Sequence, residues 1–156
     1  MSWNKILCAV DFSTNARDAL QVAAEAAVAS NGELIIAHAW TPPVYFMGET
    51  VGLPASLLSD IVATAQRELA AWKDEAEAFG AKRVSTVFLT GAPWHEVIGV
   101  AKRDPAIDLI VTGTHGRTGL KHALLGSVAE KIVRHSPCPV LVARPRQDSP
   151  SPRPAT

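Results

Sequence analysis

Short apolar runs alternate along the chain with stretches in which apolar residues recur every three or four positions. Lys5 to Val10 is the first run and ends at Asp11. Apolar residues then fall at Ala16, Ala19, Leu20, Ala23, Ala27 and Val28, the spacing of one helix face. Asn31-Gly32 supplies a stop suited to the left-handed conformation at a helix end, and Glu33 to Ala39 reads as a second buried strand. Pro42, Pro43, Gly48, Gly52 and Pro54 crowd residues 40–56, which predicts a long loop that could cover a site. Leu58, Ile61, Ala65, Leu69, Trp72, Ala76 and Phe79 mark a long amphipathic helix stopped at Gly80, and Arg83 to Leu89 reads as a third strand. Gly91-Ala92-Pro93 opens a further helix: proline's missing N–H costs little in a first turn, and Glu96 lies near the positive end of the helix dipole. Asp104-Pro105 closes it, Ile107 to Thr112 is a fourth strand, Ser127 to His135 a short helix, and Pro139 to Ala143 a fifth strand.

Strands that are apolar almost throughout, each followed by a helix, require a parallel sheet covered on both faces. Right-handed crossovers make this an α/β, Rossmann-like sandwich. The 156 residues and 47% hydrophobic content suffice for one domain with a substantial core, expected over residues 1–144. Residues 145–156 are rich in Pro and Ser without apolar periodicity, the composition of a disordered tail, and no function is assigned to them.

Composition narrows the function classes. No apolar run approaches the roughly 20 residues of a membrane span, and Met1-Ser2-Trp3-Asn4-Lys5 does not read as a secretory leader, so a cytoplasmic protein is expected. Lys plus Arg and Asp plus Glu both total 15, leaving no overall field to draw nucleic acid. Trp3, Trp40, Trp72 and Trp94 are scattered, which suits packing or loop cover rather than a base-stacking platform. Cys8 and Cys138 stand in apolar stretches and read as small buried hydrophobes with reduced thiols.

The densest chemical signal runs from Gly113 to Ser127, a loop between strand and helix with glycines at both ends and no acidic residue. Glycines let backbone N–H groups approach phosphate oxygens, and a helix N-terminus adds donors and a positive dipole end. His115, Arg117, Lys121 and His122 give the loop a local positive charge. It is not a Walker loop, since Leu120 rather than Lys follows Gly119, and not the dinucleotide turn, which belongs after the first strand. Two readings fit: a phosphate cradle, or a structural turn leading into a helix capped by the box Ser127-Val-Ala-Glu130. Asp11 likewise admits two roles, a carboxylate accepting from a ribose hydroxyl or adenine amino group, or one of three residues, with Ser13 and Thr14, able to initiate the helix. In an open parallel sheet the ligand crevice lies at the carboxyl ends of strands whose connections leave to opposite faces. If the first and fourth strands are neighbours, Asp11 and Gly113 face one crevice.

These residues resemble the universal stress protein family over residues 2–144. The ATP-binding members' pattern of Gly, two residues, Gly, nine residues, then Gly and Ser or Thr is matched by Gly113, Gly116, Gly126 and Ser127. Ala9-Val10-Asp11-Phe12-Ser13 and Ser136-Pro137-Cys138-Pro139-Val140-Leu141-Val142 are similar to the family's ends. The resemblance implies a five-stranded parallel sheet of order 3-2-1-4-5. It also implies an ATP site with Val10, in which Asp11 and Ala39 border the base and ribose, Thr112 and Gly113 start the phosphate loop, and Gly116, Arg117, Gly126, Ser127 and Val128 hold the triphosphate. It further implies a homodimer through residues 139–143, an edge strand suited to pairing. Any Mg2+ or Mn2+ would ride on the phosphates, because the loop offers no carboxylate to hold an ion.

No general base is evident either: His115 and His122 lack a readable partner. His38 inside an apolar strand, His95 in a first helical turn and His135 in a last turn read as structural, and no catalytic or metal-binding set is assigned. The reading is an ATP-dependent stress-response regulator or sensor with an unidentified protein partner. The alternatives are a slow ATPase or nucleotidyl-transferring enzyme, and a nucleotide-free dimeric scaffold.

Overall fold

The computed structural model describes residues 2–42, 52–114 and 125–144. Most of the predicted loop 40–56, the middle of the glycine-rich loop with His115, Gly116, Arg117, Lys121 and His122, and the tail 145–156 lie outside the described residues.

The elements run β1 (Lys5–Ala9), α1 (Thr14–Ser30), β2 (Glu33–Trp40), α2 (Ala55–Ala78), β3 (Val84–Thr90), α3 (Pro93–Arg103), β4 (Leu109–Gly113), α4 (Ser127–His135) and β5 (Val140–Ala143). The strands form one parallel sheet in the order β3-β2-β1-β4-β5, as expected. Boundaries differ from the periodicity by a few residues, each for a local reason. The fourth strand starts at Leu109 rather than Ile107 because Ile107 N–H bonds the Asp104 carbonyl while the Asp108 carboxylate accepts from the Asn4 and Lys5 amides. The fifth starts after Pro139, which has no N–H to give. The first helix begins at Thr14, two positions before its first buried alanine, because Ser13 caps it.

The helix stop at Asn31-Gly32 divides its labour between the two residues. Asn31 takes the left-handed conformation (φ 50, ψ 36), and its N–H reaches back to the Ala27 and Val28 carbonyls. Gly32 is required for close approach, since a Cβ there would stand 2.4 Å from the Trp3 carbonyl oxygen. Val28, counted with the apolar face, is 50% exposed, while Ala27 beside it carries the buried face to the helix end.

Two cores lie on opposite faces. Ile6, Cys8, Leu34, Ile36, Leu109 and Val111 meet α1 and α2, with Trp72 of α2 buried among them. Leu7, Ala37 and Ile110 meet Val97, Ile98 and Ala101 of α3 and Ile132 of α4. This odd–even split is the two-residue period of a strand buried on both faces. Burial among aliphatic side chains pushes the Cys8 thiol up to about 12, so it packs as a hydrophobe. The connections after β1 and β4 therefore leave to opposite faces, and their carboxyl ends lie side by side with Ala9 opposite Thr112.

Candidate functional site

At the end of β1 the chain makes a sharp turn. Val10 N–H still reaches the Ala37 carbonyl at 2.9 Å, and Phe12 then takes a left-handed conformation, φ 61, which few non-glycine residues adopt. Asp11 between them is half-buried, and its Oδ1 accepts the Ser13 N–H at 3.0 Å. Ser13 Oγ accepts from Ala16 N–H at 3.2 Å and is the helix cap. Of the three residues able to initiate the helix, Ser13 is the cap, and Asp11 closes the turn ahead of it. The Val10 side chain is buried in the α1/α2 core, so only its backbone borders the β1/β4 crevice.

Across that crevice, Thr112 is buried and Gly113 ends β4 opposite Ala143. Thr114 N–H donates to the Ala143 carbonyl at 3.1 Å, and the Thr114 carbonyl accepts from Gly126 N–H at 2.8 Å. That second bond brings both ends of the glycine-rich loop together at the carboxyl end of β4. Ala39 follows Ala37 in alternation and Thr112 follows Ile110, so both lie on the α3/α4 side of the sheet.

The start of α4 corrects one expectation. Ser127 is the first helical residue, not the cap; the cap is Gly126, whose carbonyl accepts from Glu130 N–H at 2.9 Å. The Glu130 carboxylate turns outward to Arg134 at 2.6 Å instead of reaching back, so the capping box is not formed. Its cause is the Thr114–Gly126 bond, which fixes the helix entry one residue earlier. A glycine cap has no side chain to satisfy first-turn amides, and Ser127 and Val128 are exposed. The carboxyl end of β4 therefore carries the N-terminus of α4, with backbone donors and a positive dipole end, and the neighbouring β1 carries a carboxylate just past its own end. This donor set fits a ligand with anionic groups at one end and hydroxyl or amino donors at the other. Gly116 and Arg117 lie outside the described residues, and among those described no group of three His, Cys, Asp or Glu could hold a metal ion.

His38 is more than a packed strand histidine. It is half-buried, its Nδ1 lies 2.9 Å from the Val10 carbonyl, and its ring stacks on Phe12 at 4.1 Å. A 320 Å3 cavity bounded by Phe12, His38 and Trp40 and by Asp60, Ile61 and Glu68 of α2 lies on the α1/α2 side of the sheet. His95, bonded to Glu96 at 3.1 Å, and His135, with its ring centroid 5.4 Å from that of Trp94, fit their structural readings.

The model of the universal stress protein family matches residues 2–144. The chain belongs to the universal stress protein family. Universal stress protein YxiE of Bacillus subtilis is 33% identical over 149 residues, spanning 91% of this chain and 99% of that protein. Universal stress protein MJ0531 of Methanocaldococcus jannaschii is 43% identical over 99 residues, a match confined to 60% of this chain and 57% of that protein. Among solved structures, universal stress protein UspA from Lactobacillus plantarum has a TM-score of 0.79 at 27% identity over 92% of this chain and 99% of that one. A universal stress protein in complex with cAMP has a TM-score of 0.69 at 28% identity over 92% and 98%. The strand order and the helices on both faces of the sheet are thus those of a universal stress protein.

Proposed function

We propose that this universal stress protein binds ATP in the β1/β4 crevice and acts as a cytoplasmic, nucleotide-dependent regulator or sensor of the stress response. The observation that carries the reading is the bond from Gly126 N–H to the Thr114 carbonyl at 2.8 Å, which joins the two described ends of the glycine-flanked segment and sets the first turn of α4 at the end of the strand beside β1. A relative at 28% identity, solved in complex with cAMP, supports an adenine nucleotide as the ligand class. In this reading Asp11 and Ala39 border the base and ribose. Thr112 and Gly113 open the phosphate loop, and Gly116, Arg117, Gly126, Ser127 and Val128 surround the triphosphate, with Mg2+ or Mn2+ carried on the phosphates. The described residues of this site act here as binding groups.

A second copy pairs along β5, the sheet edge at which Leu141 is 36% exposed. Denaturing the purified protein and identifying released small molecules by mass tests the nucleotide reading. An adenine nucleotide is expected; its absence, together with no ATP binding in solution, overturns it.

A further inference from the structure

Asp11 is bracketed by a single side chain from the neighbouring strand. His38 reaches the residue before it through the 2.9 Å contact from Nδ1 to the Val10 carbonyl, and the residue after it through the 4.1 Å ring stack on Phe12. A carbonyl oxygen only accepts, so Nδ1 carries the proton and donates. The bracket is needed because Phe12 stands at φ 61, a conformation that persists only where its surroundings over-determine it. Trp72 adds an edge contact to the Phe12 ring at 5.5 Å, and the Ser13 N–H closes the turn on Asp11. Of these contacts only His38 grips both sides of Asp11. The sheet explains how: Ala9 pairs with Ala37, so His38 falls beside Val10 as β1 ends.

We propose that His38 is a positioning residue for nucleotide recognition: it holds the Val10–Asp11–Phe12 turn so that the Asp11 carboxylate meets the ligand already aimed. The proposal rests on the ATP reading above and adds to it a residue outside the crevice that acts through Asp11. A carboxylate oriented before binding loses less freedom on meeting its ligand.

The test is a double-mutant cycle on the full chain, with Mg·ATP affinity measured by calorimetry for wild type, His38→Phe, His38→Asn, Asp11→Asn and His38→Phe/Asp11→Asn. His38→Phe keeps an aromatic stack and loses the donor, so affinity falls by about threefold to tenfold. His38→Asn restores a side-chain N–H near the Nδ1 position and recovers most of that loss. In the Asp11→Asn background, His38→Phe has no further effect, the coupling that a purely structural role would not produce. A long-range nitrogen–proton spectrum of the wild type shows the His38 proton on Nδ1. Wild-type affinity in His38→Phe, or the same fold loss in both backgrounds, overturns the proposal alone. Absence of ATP binding by the wild type overturns it together with the nucleotide reading.

Discussion

Gly126 lends its N–H to Thr114 and, as the helix cap, offers no side-chain acceptor to the first-turn amides of α4. Its φ of −58 is open to any residue, so Gly126→Val tests approach to those amides rather than backbone strain. The expected result is a chain that folds with its circular dichroism intact and binds Mg·ATP on the order of tenfold more weakly. Unchanged affinity means the phosphates lie elsewhere. At this scale the positions of Asp11 just after β1 and Gly113 at the end of β4 were legible in the sequence, because each closes an apolar run. His38 reads there as a structural strand residue and no more, because its partner Val10 lies 28 positions away in the chain and the β1–β2 register is what brings the two together.

Elements were legible where the apolar period is long, and less so at their ends, where a few polar contacts decide. The box at Ser127 and Glu130 satisfied every local rule for a helix start, yet a bond from outside the helix moved the entry to Gly126. Asp108 shows the same thing in a strand: it ends the connection into β4 by accepting from Asn4 N–H at 2.8 Å, the Asn4 side chain at 3.0 Å and Lys5 N–H at 3.2 Å. Burial raises its carboxyl, and these donors outweigh burial, so it titrates below the ordinary aspartate value. A carboxyl depressed in the folded state contributes stability that is fully present above the unfolded value and is lost as pH falls through the folded one. Asp108→Asn should therefore flatten the decline in stability between about pH 5 and about pH 3, measured by urea unfolding. A slope equal to the wild type's would mean that the clasp between β1 and β4 adds nothing through its charge.

For the molecule as a whole, alternation and apolar runs were enough to predict a parallel sheet sheathed on both faces, while the strand order came from resemblance to a family. Periodicity cannot supply that order, because it records which residues are buried and not which strand lies alongside. The order matters for assembly, since it leaves β5 at an edge with Leu141 exposed. If two copies pair there, Leu141→Lys should shift the sedimenting species from dimer to monomer with the fold retained, because a charge on an edge strand opposes pairing. A wild-type monomer would remove β5 from the account.

Whether the β1/β4 crevice takes ATP is decided by calorimetric titration of Mg·ATP into wild-type protein freed of bound nucleotide. Saturable binding with one site per chain, weakened by Gly126→Val, is expected; a titration without saturation would overturn the ATP reading.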